Sequence, residues 1–256
     1  MSEPDLPIQH FRGDDGAVLA YREIGEGRPL VLLHGFVSTG YVNWIKYGHA
    51  RRLAEAGYRV VMPDLRGHGA SDRSHDPGAY PPDVLADDGL ALLAHLGLDL
   101  AAGGFDLGGY SLGSRTTLRM LVRGVRPDRA VLAGMGLSRM LDISGASAWY
   151  QRVLDHLGSY RHGDPEFMTQ AFVKTVDGDP AALSLVIGAS VPMSRSDVAG
   201  VPTPVLVLMG DRDDDHGSGQ ELAELLQAGS YRQVPGSHMA AVARPELGRA
   251  IAEFLD

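Results

Sequence analysis

The sequence predicts an α/β protein built on a mostly parallel sheet of eight strands with helices on both faces. Short apolar runs alternate with amphipathic helical patterns along most of the 256 residues, and such alternation is typical of parallel sheets. Most of the runs are continuously apolar, as in strands that are buried on both faces. Glycine and proline separate many of the elements, and 44% hydrophobic residues suffice for a packed core.

The elements can be assigned in order from turn and cap residues. The first two strands are predicted to form a hairpin, because Asp14-Asp15-Gly16 supplies a turn between them. Gly57 ends the first predicted helix, and Pro81-Pro82 stands at the start of the second. The predicted strands cover residues 8–12, 18–23, 29–33, 58–63, 105–110, 130–135, 205–209 and 230–234, and the predicted core helices cover residues 42–56, 82–96, 112–123, 219–227 and 245–254.

One long segment, residues 137–199, breaks the alternation. It shows helical patterns but no clear buried strand, and connections within compact domains are usually much shorter. We therefore predict a small helical cap at 137–199, inserted between strands of a core formed by residues 1–136 and 200–256. The helical patterns of the cap lie at 146–157, 166–176 and 180–188.

Ser111 is the candidate nucleophile. It stands in Gly109-Tyr110-Ser111-Leu112-Gly113, between a predicted strand and a predicted helix. A sharp strand-to-helix turn holds such a serine in strained dihedrals, and side chains at the two flanking positions would clash with neighbouring elements, which explains the glycines. In a chain with 33 glycines, a Gly-x-Ser-x-Gly match can arise by chance, but here the motif lies between a predicted strand and a predicted helix, as a nucleophile requires. The similar segment Gly145-Ala146-Ser147-Ala148 lacks the last glycine.

A base and an orienting acid are expected after the serine, in the order Ser, Asp or Glu, His. His238 is the candidate base, because a loop after the last predicted strand can reach the carboxyl ends of the sheet. Asp213 is the candidate acid, Asp214 is its main rival, and Asp211 is expected to turn the chain. Other histidines lie in helices, termini or polar loops and are interpreted as solvated: His10, His49, His75, His95, His156, His162 and His216.

Two backbone N–H groups are expected to stabilise the oxyanion of an acyl-transfer reaction. One belongs to Leu112, and the other belongs to Phe36, in a loop that the His34 ring is expected to brace. The candidate substrate pocket, for which ordinary packing is an equally good interpretation, comprises Phe36, Tyr110, Met140, Trp149, Phe167 and Met193.

Neither a metal nor a cofactor is predicted. The acidic run 211–215 resembles the start of a calcium loop, but His216 occupies the sixth position, where glycine is needed, and Leu222 the twelfth, where glutamate is needed. The chain contains no cysteine, so disulfides, thiolate metal sites and cysteine nucleophiles are excluded.

Charge and hydropathy predict neither a nucleic-acid nor a membrane partner. The net charge is −9, the N-terminal Met1-Ser2-Glu3-Pro4-Asp5 lacks the features of a signal peptide, and no apolar run approaches the roughly 20 residues of a membrane helix. A cytoplasmic location is expected, and the oligomeric state stays open. We interpret a series of arginines as a solvated helix face and its exit loop: Arg115, Arg119, Arg123, Arg126 and Arg129.

Four motifs in order resemble the α/β-hydrolase superfamily. They are His34-Gly35-Phe36, the loop Asp64-x-Arg66-Gly67-x-Gly69-x-Ser71, the pentapeptide around Ser111, and Gly210-x-x-Asp213 followed by Gly236-x-His238. The resemblance covers about residues 8–136 and 200–256. It implies that the 64–71 loop is structural, so that neither Arg66 nor His68 is catalytic.

The resemblance also implies a range of activities. We expect a serine hydrolase that cleaves a carboxylic ester of a small to medium soluble substrate through an acyl-enzyme. Perhydrolysis of the cofactor-free haloperoxidase type and carbon–carbon bond hydrolysis use the same triad and stay as alternatives, and a non-hydrolytic ligand receptor is a further one. Epoxide hydrolases and haloalkane dehalogenases of this fold carry Asp where this chain has Ser111, and the predicted cap is too mixed in polarity for an interfacial lipase lid.

Overall fold

The computed structural model describes residues 6–142 and 144–256, and within them it contains one sheet of eight strands. The strands are β1 (Gln9–Arg12), β2 (Val18–Ile24), β3 (Arg28–Leu33), β4 (Tyr58–Pro63), β5 (Asp106–Tyr110), β6 (Arg129–Ala133), β7 (Val205–Gly210) and β8 (Gly229–Val234). Their order across the sheet is β1-β2-β4-β3-β5-β6-β7-β8. β2 pairs antiparallel with β1 and β4, whereas the other neighbours pair in parallel. The predicted fold class is thus confirmed. The N-terminal pentapeptide, in which we predict no signal peptide, lies outside the described residues.

Helices cover both faces of the sheet. The side chains of Val31 and Leu33 in β3 pack toward one apolar cluster, and those of Leu30 and Leu32 pack toward another. Because alternate residues of a strand face opposite sides, this arrangement accounts for the continuously apolar run. The core helices are α1 (His49–Glu55), α2 (Val84–His95), α3 (Leu112–Val122), α9 (Gly219–Leu225), α10 (His238–Ala241) and α11 (Pro245–Leu255), with α2 and α3 on the first cluster and α1 and α11 on the second.

The predicted helix 42–56 is wrong as one continuous element. A short π-helical turn spans Tyr41–Ile45, and α1 begins only at His49. Gly48 lies between them with a φ of 77°, a left-handed conformation that interrupts the helix and that glycine adopts without strain. The interruption places the Asn43 side chain beside the loop after β3, where it accepts a hydrogen bond from the Gly35 N–H.

A helical segment connects β6 to β7. It packs over the loop after β3, because Val37 forms one apolar cluster with Leu154, Val173 and Leu183. The segment is also tied to the loop after β4, where His75 Nε2 lies 2.8 Å from the Asp179 carboxylate. The helices of this segment, which correspond to the predicted cap, are α4 (Leu137–Leu141), α5 (Ser144–Asp155), α6 (Phe167–Thr175), α7 (Pro180–Gly188) and α8 (Arg195–Ala199).

The interpretation of the arginine series as a solvated face is wrong for its first member. Arg115 is buried, and its guanidinium donates to the backbone carbonyls of Arg139, Met140 and Val191. Burial, together with the neighbouring charge of Arg119, lowers its pKa to about 10. Arg115 thus ties the first turn of α3 to both ends of the helical segment. The more distal Arg119 and Arg123 pair with acidic residues at the start of α2.

We expect Arg115→Met to lower the free energy of unfolding by about 1–3 kcal/mol, since it takes a donor from the buried Met140 carbonyl and from two partly buried carbonyls. Urea denaturation measures this loss. Arg126→Met is the matched control, because within the described part of the chain Arg126 donates only to the nearby carbonyls of Leu121 and Val125. Equal stability of the two variants would contradict a special role for Arg115 in holding the segment.

Across the described ranges, no helix combines the length and the apolar character needed to span a membrane.

Candidate active site

Ser111 lies at the junction of β5 and α3. Its φ of 53° and ψ of −113° form a strained backbone conformation that residues other than glycine rarely adopt. The Ser111 N–H donates to the Ala133 carbonyl at the end of β6 over 2.8 Å, which holds this conformation in place. Such a turn presents the serine hydroxyl at the carboxyl edge of the sheet.

The two glycines that flank Ser111 lie where no Cβ fits. A Cβ on Gly109 would stand 2.2 Å from the Gly113 carbonyl carbon, and a Cβ on Gly113 would stand 2.3 Å from the Leu33 carbonyl oxygen. Both obstacles are backbone atoms, which cannot move aside as a side chain can. The Gly-x-Ser-x-Gly pattern therefore has a packing origin: it lets α3 start directly beside β3 and β5.

Ser111, His238 and Asp213 form a continuous hydrogen-bonded chain. Ser111 Oγ lies 3.1 Å from His238 Nε2, and His238 Nδ1 lies 2.9 Å from Asp213 Oδ2. His238 begins α10, after β8, and Asp213 stands in the loop after β7. The structure thus brings together the three side chains that the sequence singled out, in the arrangement of a nucleophile, its base and an orienting acid.

The charge states of the two partners suit base catalysis. Burial lowers the pKa of His238 below its ordinary value, although the hydrogen bond with Asp213 opposes this shift. Burial raises the pKa of Asp213, but hydrogen bonds from His216 and His238 outweigh it and bring the value to about 2. At neutral pH the carboxylate is therefore ionised and His238 is neutral, ready to accept a proton from Ser111.

The rival carboxylates occupy different surroundings. The side chain of Asp213 is almost fully buried, whereas Asp214 is exposed. Asp211 Oδ1 accepts a hydrogen bond from the Gly236 N–H over 2.8 Å, and so links the loop after β7 to the loop that carries His238. This contact gives Asp211 a structural part in the site, in keeping with its predicted place in the turn.

His216 is the site neighbour that sequence reasoning missed. Its Nδ1 lies 2.6 Å from Asp213 Oδ1, and its ring stacks on that of His238 with centroids 3.6 Å apart. The sequence offers one indication of this contact, because His216 follows Asp213 by only three residues. That spacing alone does not distinguish His216 from the other loop histidines. Asp213, His216 and His238 offer ligand atoms within 4.8 Å of one another, yet hydrogen bonds among those atoms account for the cluster without a cation.

The candidate oxyanion donors lie on either side of Ser111. Leu112 is the first residue of α3, so its N–H has no partner within the helix. The loop that holds Phe36 touches the nucleophile, because a Cβ on Gly35 would stand 3.3 Å from Ser111 Cβ. His34 braces this loop as expected: its Nδ1–H donates to the Gly35 carbonyl over 2.8 Å, and its Nε2 accepts from the Leu65 N–H over 2.9 Å.

A cleft of about 80 Å³ opens above Ser111. Of the predicted pocket residues, Phe36 and Tyr110 line it. Met140 and Met193 instead lie in an apolar cluster beneath α4 and α8, and Trp149 and Phe167 are half-buried and do not line the cleft. The residues around the cleft are Gly35, Phe36, Ser38, Val42, Asn43, Tyr47, Tyr110, Ser111, Tyr150, Phe172, His238, Met239 and Val242.

The fold and the site can be compared with known proteins. A family model described as alpha/beta hydrolase fold matches residues 28–161, from the start of β3 into the helical segment. The chain belongs to the alpha/beta hydrolase fold family. Membership in the alpha/beta hydrolase fold family agrees with the strand order and with the sharp turn at Ser111.

Curated relatives of this alpha/beta hydrolase carry different activities in their names. An epoxide hydrolase from Caballeronia sordidicola is 32% identical over 139 residues, which are 54% of this chain and 39% of the relative. The non-heme chloroperoxidase CPO-A1 from Kitasatospora aureofaciens is 36% identical over 108 residues, 42% of this chain and 37% of the relative. The chain thus spans less than half the length of these curated relatives.

A solved structure extends the likeness over the whole alpha/beta hydrolase chain. A thermophilic esterase from Thermogutta terrifontis, with malate bound, superposes with a TM-score of 0.75. The superposition covers 97% of this chain and 98% of the esterase at 23% sequence identity. At this identity, the likeness shows the shared fold alone.

Proposed function

We propose that this protein is a serine hydrolase that cleaves carboxylic esters of neutral, small to medium substrates through an acyl-enzyme. The observation that carries the proposal is the chain of hydrogen bonds from Ser111 through His238 to the ionised Asp213. The tight turn at Ser111 and the Leu112 N–H, which has no partner within its helix, supply the two further features that acyl transfer needs, an accessible hydroxyl and a donor for the oxyanion.

The reaction begins when His238 Nε2 takes the proton of Ser111 and the hydroxyl oxygen attacks the acyl carbon. The developing oxyanion accepts hydrogen bonds from the N–H groups of Phe36 and Leu112, each worth about 2.7–4 kcal/mol of barrier. His238 then passes the proton to the leaving alcohol. A water molecule activated by the same histidine releases the acid, while Asp213 stabilises the imidazolium at both stages.

The lining of the cleft supports a neutral substrate. Among the described residues around it there is no Asp, Glu, Lys or Arg. Phe36 and Tyr150 meet edge to face with ring centroids 4.8 Å apart, and Phe172 adds a third aromatic side chain to this wall. A carboxylate or ammonium group on the substrate would lose its hydration here without gaining a charged partner, and that loss is costly.

The identity of the nucleophile separates this proposal from one relative. Epoxide hydrolases of this fold carry aspartate at the position of Ser111, and a serine forms an acyl-enzyme with esters instead. Perhydrolysis needs the same residues as ester hydrolysis and differs only in the acceptor, hydrogen peroxide in place of water. The similarity to the chloroperoxidase makes peroxide a necessary arm of the assay.

We expect measurable hydrolysis of p-nitrophenyl esters, with the highest kcat/KM for short and medium acyl chains in a series from acetate to palmitate. The cleft beside Ser111 has a volume of only about 80 Å³, which leaves no room for a long acyl chain. The matched pair is p-nitrophenyl hexanoate and mono-p-nitrophenyl adipate, which differ by a terminal carboxylate. We expect the adipate to react at least about 10-fold more slowly, because its charge finds no partner.

Three outcomes decide the proposal. Absence of turnover on every ester would contradict ester hydrolysis. Equal enzymatic rates on the hexanoate and the adipate would contradict the neutral substrate class. Halide oxidation with peroxide that exceeds ester hydrolysis in rate would move the assignment to a perhydrolase.

A further inference from the structure

A second imidazole lies against the proposed catalytic base. The ring of His216 is nearly parallel to that of His238, with an interplanar angle of 10° and centroids 3.6 Å apart. The two histidines also share one carboxylate, since His216 Nδ1 lies 2.6 Å from Asp213 Oδ1 and His238 Nδ1 lies 2.9 Å from Oδ2. The side chain of Asp213 is 1% exposed, so these two partners take the place of water around it.

We propose that His216 is a positioning residue for the ester hydrolysis proposed above. It acts through Asp213 and His238 and does not touch the reacting atoms. The inference rests on the proposed function, but it concerns a residue that the reaction scheme leaves unused.

The hydrogen bond from His216 fixes the orientation of the Asp213 carboxylate. A carboxylate with one partner can rotate about χ2 and present either oxygen to it. With Oδ1 held by His216, only Oδ2 faces His238, and the Asp213 backbone N–H is itself held by the Gly210 carbonyl. If the Asp213 carboxylate were free to rotate between turnovers, it would hold the His238 ring in the productive orientation less well.

The stacked ring limits the rotation of His238. A turn of the imidazole about χ2 would move Nε2 away from Ser111 Oγ and would drive the ring into His216. The main chain of His238 is anchored independently, because the Tyr110 hydroxyl donates to its carbonyl over 2.5 Å. His216 thus restrains the ring, while Tyr110 restrains the backbone that carries it.

Three substitutions separate the two contacts of His216. His216→Asn keeps a donor at the place of Nδ1 but removes the ring, His216→Phe keeps a ring but removes the donor, and His216→Ala removes both. We expect kcat for p-nitrophenyl butyrate to fall by on the order of 10- to 100-fold in the Ala and Phe variants, the range for loss of a buried hydrogen bond to a charged group. KM should change by less than about 2-fold because the substrate cleft is untouched. Asn should restore kcat to within about 5-fold of wild type.

The control is His10→Ala, which removes an exposed histidine on β1 without touching the site. The second readout is independent of turnover: ¹⁵N NMR of histidine-labelled protein at neutral pH, which reports the tautomer of His238. We expect wild type and the Asn variant to carry the proton on Nδ1 and the Ala and Phe variants to show a mixture of tautomers. Thermal unfolding establishes that each variant is folded.

The results distinguish this inference from the proposed function. Wild-type kcat and an unchanged His238 tautomer in both the Ala and Phe variants would overturn the positioning role, even if esters are hydrolysed. A loss confined to KM would overturn it as well. If no ester is hydrolysed but the tautomer of His238 depends on His216, the positioning role stands and the assigned reaction fails.

Discussion

Ser111→Ala should lower kcat for p-nitrophenyl butyrate by about 10⁶-fold, the size of loss that removal of a triad serine causes. The hydroxyl is the group that becomes covalently bound to the acyl carbon, so its removal leaves only substrate binding and the oxyanion donors. The fold should be unaffected. Ser111 Oγ is hydrogen-bonded to His238 alone among the described residues, and the backbone N–H that holds the turn stays in place.

A loss of this size must be measured with care, because traces of wild-type enzyme limit the observable rate. Intact-mass analysis after treatment with a fluorophosphonate gives a second readout, with one adduct expected on wild type and none on Ser111→Ala. Ser147→Ala is the matched control, since it removes the serine of the near-miss segment Gly145-Ala146-Ser147-Ala148. Near-wild-type turnover by Ser111→Ala, or an equal loss in both variants, would refute the assignment of Ser111.

The main features of the sheet and of the hydrogen-bonded chain could be predicted because both depend on local pattern. Runs such as 205–209 are apolar at every position, as expected of a strand in a parallel sheet that is covered on both faces. Ser111 directly follows a predicted strand, Asp213 and His238 stand in the loops after two others, and the carboxyl ends of parallel strands meet at one edge. Their proximity therefore follows from topology, without knowledge of any tertiary contact.

Other features depend on packing between segments that are distant in sequence. The spacing of Arg115 along α3 is typical of a solvated face, and nothing local indicates that the carbonyls of Met140 and Val191 lie above it. Similarly, Trp149 and Tyr150 are adjacent in α5, and only the docking of that helix decides that Tyr150 faces the cleft. His216 is a third case, because its role depends on how the loop after β7 meets α10.

The choice of Asp213 over Asp214 as the acid of the triad can be tested by substituting each residue. Asp213→Asn should lower kcat by about 10⁴-fold, as the same substitution does in serine proteases. The amide can donate to His238 Nδ1, which favours the tautomer with a proton on Nε2. That nitrogen then faces Ser111 Oγ with a proton instead of a lone pair and cannot act as a base.

Asp214→Asn is the matched control, because it removes the same charge one residue further along the loop. Asp214 is exposed, and water screens its charge from the imidazolium. We therefore expect kcat of the Asp214→Asn variant to stay within about 2-fold of wild type. Active-site titration with the fluorophosphonate corrects both values for the fraction of competent enzyme. Equal and mild losses in the two variants would show that the long-range negative charge of the loop stabilises His238. A large loss at Asp213 alone requires a specific contact, and the hydrogen bond to Nδ1 in the buried pair supplies it.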